Sequence, residues 1–128
     1  KGRCIKEGTH IAVLSIGHIG AAAIEAVKEF DLSKRIALYD MQFVKPLDET
    51  LLHEIFTTFK TIVILENGVI HGGFGTAVIE FASEFNYSNQ IYLRGIPDEF
   101  IEHGTVEELH EQCGISKNAI KELLLALL

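Results

Sequence analysis

Residues 11–17 of the 128-residue chain read Ile-Ala-Val-Leu-Ser-Ile-Gly, and this stretch decides the fold. Apolar side chains occupy consecutive positions, so both faces of a strand here would be buried, as in the middle of a parallel sheet. After Gly17 the apolar residues recur at intervals of three and four, which predicts a helix with one buried face. A buried strand followed by a crossover helix indicates an α/β fold.

The same alternation continues along the chain. Further β-rich runs lie at 3–6, 36–39, 61–65 and 91–93. Strands that alternate with helices pair in parallel through right-handed crossovers, so the sequence predicts a three-layer α/β/α sandwich.

The predicted helices carry local start signals. Asp48 can cap a helix that begins at Glu49, and Ser116 can cap the last helix. Thr105 and Glu108 form a capping box for a short helix that ends before Gly114. The buried face predicted for the helix at 49 comprises Leu51, Leu52, Ile55, Phe56 and Phe59, and that of the helix after Gly75 comprises Ala77, Val78, Phe81, Ala82 and Phe85.

Composition narrows the function classes. The net charge of −7, with no local cluster of Lys and Arg, argues against nucleic acid as a partner because a phosphate backbone would be repelled. No apolar run approaches the roughly 20 residues that cross a bilayer, so we expect a soluble protein. Cys4 and Cys113 stand alone and predict unreactive thiols in a reducing compartment. A length of 128 residues suits a single domain, 1–128. Because the sequence begins with Lys1, we expect this domain to come from a longer polypeptide.

A partial dinucleotide fingerprint follows the first buried strand. Residues 17–20 read Gly-His-Ile-Gly, and Asp40 ends the next predicted strand about 20 residues later, as in a nucleotide site. The fingerprint needs a glycine two residues before Gly17, where this chain has Ser15. We therefore favour a plain strand-to-helix turn, with Asp40 as an exposed residue at a strand end.

A second glycine-rich turn precedes a helix and consists of Gly72, Gly73, Phe74 and Gly75. Free backbone N–H groups at a helix start could hold an anion, but no Lys or Arg lies in the segment to reinforce it. The favoured interpretation is that these glycines let two backbones approach closely, within the domain or at an interface.

Polar residues beside strand ends are the candidate contact residues, because sites of α/β proteins form there. They are Glu66, Asn67, His71, Asp98 and His103. None of the six histidines has the i, i+4 spacing of a helical metal site, and no Gly-x-Ser-x-Gly pattern occurs. The sequence predicts no catalytic, cofactor-binding or metal-binding residue in this chain.

Three groups of residues resemble a known family. They are Phe-Val-Lys-Pro-Leu-Asp at 43–48, the pair Glu-Asn-Gly at 66–68 and Gly-Gly-Phe-Gly at 72–75, and the pair Gly-Ile-Pro-Asp at 95–98 and Phe-Ile-Glu-His-Gly at 100–104. Their order resembles the C-terminal domain of the 1-deoxy-D-xylulose-5-phosphate synthase family. The segments at 8–17 and 108–115 extend the resemblance to nearly the whole chain.

The resemblance implies a transketolase-type C-terminal fold, a mostly parallel five-stranded sheet with one antiparallel edge strand at 3–6. It also implies a full-length homodimeric enzyme, cytoplasmic or, in a photosynthetic source, plastidic. That enzyme condenses pyruvate with glyceraldehyde 3-phosphate, with loss of carbon dioxide, on thiamine diphosphate and Mg²⁺. The product enters isoprenoid and thiamine precursor synthesis.

The family's catalytic motifs do not map onto this chain. The diphosphate and metal are held in the family by Gly-Asp-Gly followed by Asn, and no Gly-Asp-Gly occurs here. The resemblance places all catalytic groups in the two preceding domains, which are the expected partners of this one. Gln42 stands where the family pattern has Arg, so a bidentate salt bridge formed there in relatives is not expected.

Other functions stay open on the sequence alone. The fold and the Gly-Gly turn also occur in transketolases and in the beta subunits of 2-oxo-acid dehydrogenases, although residues 97–104 lack the proline-rich segment expected of the dehydrogenases. A stand-alone dinucleotide-binding module and a non-enzymatic α/β interaction domain are alternatives from different classes. A preceding region with Gly-Asp-Gly would distinguish the synthase from both.

Overall fold

The computed structural model describes residues 2–16, 27, 35–41, 47–66, 73–95 and 117–128. Within them, a five-stranded sheet is formed by β1 (Gly2–Lys6), β2 (Ile11–Ile16), β3 (Ile36–Met41), β4 (Thr61–Glu66) and β5 (Gln90–Gly95). The helices with described bounds are α1 (Glu49–Thr58), α2 (Phe74–Glu84) and α3 (Lys117–Leu127). All of the predicted strands are confirmed, each with ends that match the prediction or extend it by one or two residues.

The strand order across the sheet is β1-β3-β2-β4-β5. The strands β2, β3, β4 and β5 pair in parallel, whereas β1 pairs antiparallel with β3 at the edge, as the resemblance implied. From β2 the chain moves outward to β3 and then crosses to β4 on the other side. The topological switch point, where α/β proteins place their sites, therefore lies between the carboxyl ends of β2 and β4.

Helices cover both faces of the sheet, which confirms the three-layer sandwich. On one face the buried side chains of α1 and α2 pack against alternate residues of the strands. On the other face Val27, which is helical and fully buried, joins α3 through Ile120 and Leu124. The alternation of strand residues between the two cores explains why the strand sequences are apolar at consecutive positions.

Asp48 begins α1 as predicted and also ties it to the sheet. Its Oδ1 accepts a hydrogen bond from the Leu51 backbone N–H at 3.2 Å, the bond of a helix N-cap. Its Oδ2 accepts from the Gly2 backbone N–H, also at 3.2 Å. One carboxylate thus fixes both the start of α1 and the start of the edge strand.

Three residues of the predicted helix faces are less buried than predicted. Leu51 is only partly buried, and Phe85 is 40% exposed because it is the C-cap of α2, one residue beyond the helix end. The next residue, Asn86, has a positive φ of 58°, which turns the chain out of the helix. The other predicted residues of these two faces, apart from the partly buried Ala77, are buried.

Some predicted features lie outside the described residues. They are the turn at 17–20, Gln42, the short helix between Thr105 and Gly114 with Cys113, and the cap at Ser116. No helix in the described ranges is both long and apolar enough to span a membrane.

Candidate functional site

Glu66 is the last residue of β4 and lies at the switch point of the sheet. In the register of the sheet it pairs with Ile16 of β2 on one side and with Gly95 of β5 on the other. A residue with strands on both sides and a helical layer beside it is shielded from water, and Glu66 is only 4% exposed. The candidate contact residue that ends the strand is therefore a buried carboxyl.

The Glu66 carboxyl caps α2, although it lies outside the helix and precedes it in the sequence. The N-cap position of α2 is Gly73, which has no side chain to accept from the free N–H groups of the first turn. Instead Glu66 Oε2 accepts a hydrogen bond from the Gly75 backbone N–H at 3.1 Å. A negative charge also interacts favourably with the positive end of the helix dipole, so this geometry joins the end of a central strand to the start of the following helix.

The second oxygen of the same carboxyl lacks a partner within the described part of the chain. Glu66 Oε1 is buried and makes no hydrogen bond with any described residue. Burial is the main reason that the pKa of Glu66 is raised, and the backbone N–H groups of Gly75 and Phe74 oppose the rise by stabilising the carboxylate. A buried oxygen without a hydrogen bond costs about 1–3 kcal/mol of stability.

Gly75 lets α2 approach the sheet. A Cβ atom at this position would overlap Cδ1 of Leu93 on β5 and would lie 3.2 Å from its Cγ. The sequence predicted a close approach of two backbones at this turn, but at Gly75 the close neighbour is a side chain. Sequence reasoning missed Leu93, because nothing local links position 93 to position 75.

A close approach of two backbones does occur at Gly8, which no sequence pattern singled out for this role. A Cβ atom on Gly8 would overlap the backbone of Ile36 and Ala37 at the start of β3, with the Ile36 oxygen at 2.6 Å. Gly8 lies in the connection from β1 to β2, and these two strands flank β3 on opposite sides. The connection therefore has to pass over the β3 backbone, which leaves no room for a side chain.

The candidate residues divide into two groups. Glu66, Gly73, Phe74 and Gly75 are described and meet at the start of α2, with Phe74 only 1% exposed. The remaining candidates, Asn67, His71, Gly72, Asp98 and His103, lie outside the described residues. The structure therefore brings the described part of the predicted site together around one buried carboxyl.

The residues of the partial dinucleotide fingerprint have structural roles. The Ser15 side chain is buried, and its hydroxyl donates to the Tyr39 backbone oxygen at 3.4 Å. Asp40 lies within β3 and not at its end, and it is partly buried. Its carboxylate is 3.8 Å from Nε of Arg3 on the edge strand. The expectation of an exposed strand-end aspartate is wrong, because β3 continues to Met41 and β1 covers its side.

The donor groups in the described ranges do not form a thiamine diphosphate or magnesium site. The sequence lacks Gly-Asp-Gly, and in the described ranges no three His, Cys, Asp or Glu side chains converge as metal ligands. Cys4 is exposed on β1, and partial burial together with the negative charge of Glu7 raises the pKa of its thiol. A raised pKa disfavours the thiolate, which is the nucleophilic form.

The fold and the site define a class of protein: a doubly wound α/β domain whose switch point carries a structural carboxyl and no described catalytic group. Comparison with known proteins is consistent with this class. The transketolase C-terminal domain family matches residues 1–120, so the chain belongs to this family.

Three bacterial relatives share one name. The chain is 50% identical over 127 residues to the 1-deoxy-D-xylulose-5-phosphate synthase of Parabacteroides distasonis, 49% over 127 to that of Bacteroides thetaiotaomicron and 45% over 128 to that of Phocaeicola vulgatus. These matches cover 97%, 97% and 98% of this chain and 20% of each relative. The resemblance seen in the sequence is confirmed, and the alternative families are not favoured.

Solved structures agree on the fold. A split-gene transketolase described as an inactive beta4 tetramer superposes with a TM-score of 0.85 at 29% identity, over 99% of this chain and 42% of that one. The transketolase of Campylobacter jejuni gives a TM-score of 0.59 at 15% identity, over 98% of this chain and 18% of that one, and shows the shared fold alone.

Proposed function

We propose that this chain is the C-terminal domain of a 1-deoxy-D-xylulose-5-phosphate synthase and that it supports assembly of the enzyme without supplying a catalytic group. The observation that carries the proposal is the 45–50% identity to three synthases over nearly the whole chain. The chain spans about 20% of the length of these relatives. The condensation of pyruvate with glyceraldehyde 3-phosphate, with release of carbon dioxide, is therefore the proposed activity of the longer polypeptide.

Thiamine diphosphate and Mg²⁺ belong, in this proposal, to the domains that precede this one. The absence of Gly-Asp-Gly from the sequence supports that placement. The role proposed for this domain is structural. Glu66 joins β4 to α2, and Asp48 joins α1 to β1. These hydrogen bonds stabilise the edge of the sheet that carries both residues.

Assembly into a homodimer is part of the proposal, as is a cytoplasmic location, or a plastidic one in a photosynthetic source. One structural relative supports a role in association: the split-gene transketolase is described as a tetramer that is inactive. The expected partners are the preceding domains of the same polypeptide and a second copy of it, and neither nucleic acid nor a membrane is among them.

The experiment is an activity assay on the full-length protein and on this chain alone. Full-length protein should form 1-deoxy-D-xylulose 5-phosphate from pyruvate and glyceraldehyde 3-phosphate only when thiamine diphosphate and Mg²⁺ are present. This chain alone should form none and should show no micromolar binding of either cofactor by calorimetry. Activity of the full-length protein on a ketose phosphate donor, and not on pyruvate, would instead indicate a transketolase.

The same samples test the dinucleotide alternative. With Ser15 buried in the sheet at the position of the required glycine, titration of this chain with NAD or NADH should give no saturable signal. A saturable titration would restore that alternative and count against an assembly role.

A further inference from the structure

The first residue of the edge strand lies against the start of α1. Gly2 pairs with Met41 in the register of β1 and β3. A Cβ atom on Gly2 would lie 2.7 Å from Cδ2 of Leu51, in the first turn of α1, and 2.8 Å from Sδ of Met41. The backbone at Gly2 is therefore in direct contact with side chains of both α1 and β3.

A hydrogen bond holds Gly2 at this position. Asp48 Oδ2 accepts from the Gly2 backbone N–H at 3.2 Å, although 46 positions separate the two residues in sequence. The other oxygen of the same carboxylate, Oδ1, caps α1 through the Leu51 N–H. The ends of a fold open most readily, so a bond at the first residue of an edge strand has a large effect on how often that strand opens.

The proposed function, on which this inference rests, includes a preceding domain that is joined to this one at Gly2. We propose that Asp48 is a positioning residue for that connection: its Oδ2 fixes the entering polypeptide to the first turn of α1. The two domains are then joined by a backbone that is held up to Gly2, and not by a linker that extends freely into β1. The Gly2 bond is separate from the helix cap, because the two carboxylate oxygens accept from different N–H groups.

An asparagine separates the Gly2 bond from the cap. Asp48→Asn keeps one oxygen, which can accept from the Leu51 N–H as an N-cap. It replaces the other oxygen with an NH₂ group, which donates and cannot accept from the Gly2 N–H. Glu49→Gln is the matched control, because it makes the same chemical change one residue later, at an exposed position of α1.

The measurement is limited digestion of the full-length protein by trypsin, with the fragments identified by mass spectrometry. The sequence provides trypsin sites at the connection, after Lys1 and after Arg3. A protease cleaves the open form of a strand, so the cleavage rate reports how often β1 opens. Cleavage at these two sites should be about fivefold faster in Asp48→Asn than in wild type, the size expected for the loss of one hydrogen bond.

Cleavage after Lys60 is the internal reference, because this residue follows the C-terminal end of α1 and is exposed. It should proceed at the wild-type rate in Asp48→Asn, since the cap is retained. Glu49→Gln should match wild type at all three sites.

Two outcomes would overturn the inference. Equal cleavage after Lys1 and Arg3 in wild type and in Asp48→Asn would mean that Asp48 does not hold the entering polypeptide. A rise at these sites that is matched after Lys60 would mean that the variant loosens the domain as a whole. The proposed function fails separately, if the wild-type full-length protein forms no product while the cleavage difference between wild type and Asp48→Asn persists.

Discussion

The Glu66 carboxyl accepts a hydrogen bond at 3.1 Å from the backbone N–H of Gly75, so a residue at the end of a central strand caps the helix that begins eight residues later. The bond is buried, and its geometry depends on Gly75 lying close against the sheet. The stability of this domain and the pH dependence of that stability should both respond to changes at these two residues.

The stability of the chain should depend on pH through Glu66. Burial raises the pKa of this carboxyl above the ordinary value of 4.5, so the folded state binds the proton more tightly than the unfolded state. Wild type should therefore gain stability relative to Glu66→Gln as the pH falls from neutral through the raised pKa, and the gain should level off below about 4.5. Urea unfolding of both chains between about pH 7.5 and 4.5 measures the difference.

Glu84→Gln is the control for that series, because it makes the same chemical change at an exposed position of the same helix. A wild-type chain that loses stability relative to Glu66→Gln on acidification would show a lowered pKa and contradict the prediction.

Gly75→Ala should destabilise the chain by about 1–3 kcal/mol, because the new methyl group overlaps the Leu93 side chain. In an open helix the same change would be stabilising by roughly 1 kcal/mol, so the sign of the effect is informative. Combining it with Leu93→Ala should relieve the overlap, and the double variant should lose less stability than the sum of the two single changes. Additive losses in denaturant unfolding would rule out contact between the two positions.

Gly8→Ala should be more damaging than Gly75→Ala. At Gly8 the added methyl group meets the backbone of Ile36 and Ala37, which cannot rotate away as a leucine side chain can. We expect a loss above about 2 kcal/mol, or failure to fold. Gly2→Ala offers a comparison, because there the neighbours are the flexible ends of Met41 and Leu51. An equal and small loss at both glycines would contradict the close approach of two backbones.

Asp48→Ala should cost about 1–2 kcal/mol, since it removes the N-cap of α1, together with the bond to the Gly2 N–H. Asp48→Asn should retain most of that stability because an amide oxygen also caps a helix. Glu49→Ala, at an exposed position in the first turn of the same helix, controls for the loss of an acidic residue near the helix start. Equal melting temperatures for Asp48→Asn and Asp48→Ala would argue against capping by Asp48.

The predictable parts of the fold were those encoded locally. The cap at Asp48 can be recognised from the neighbouring residues alone. The consecutive apolar side chains of β2 directly indicate burial on both faces of the strand. Strand ends were less predictable, because β3 and β4 continue through Asp40 and Glu66 only where neighbouring strands pair with them. Polar residues are typical of turns, so their place within a strand is recognised only once the register of the sheet is known.

The site was predictable in position but not in chemistry. Glu66 was identified as a polar residue beside a strand end, whereas its burial and its bond to Gly75 arise from a helix that returns to the sheet. One signal was present: a glycine at the N-cap position of α2 has no side chain to cap the helix, which leaves its first N–H groups open to a carboxyl from elsewhere in the chain. The contact between Gly75 and Leu93 had no local signal, because it depends on the pairing of β4 with β5.

The most direct test of an assembly role compares turnover with association in the full-length enzyme. Alanine is placed at Glu66, His71, Asp98 and His103 in turn, and steady-state kinetics are measured alongside sedimentation. A supporting domain predicts that each variant loses stability or dimer affinity, while the turnover number of the enzyme that remains assembled changes by no more than a few fold. A thousandfold fall in turnover with the dimer intact, about 4 kcal/mol of transition-state stabilisation, would show that this domain supplies a catalytic group.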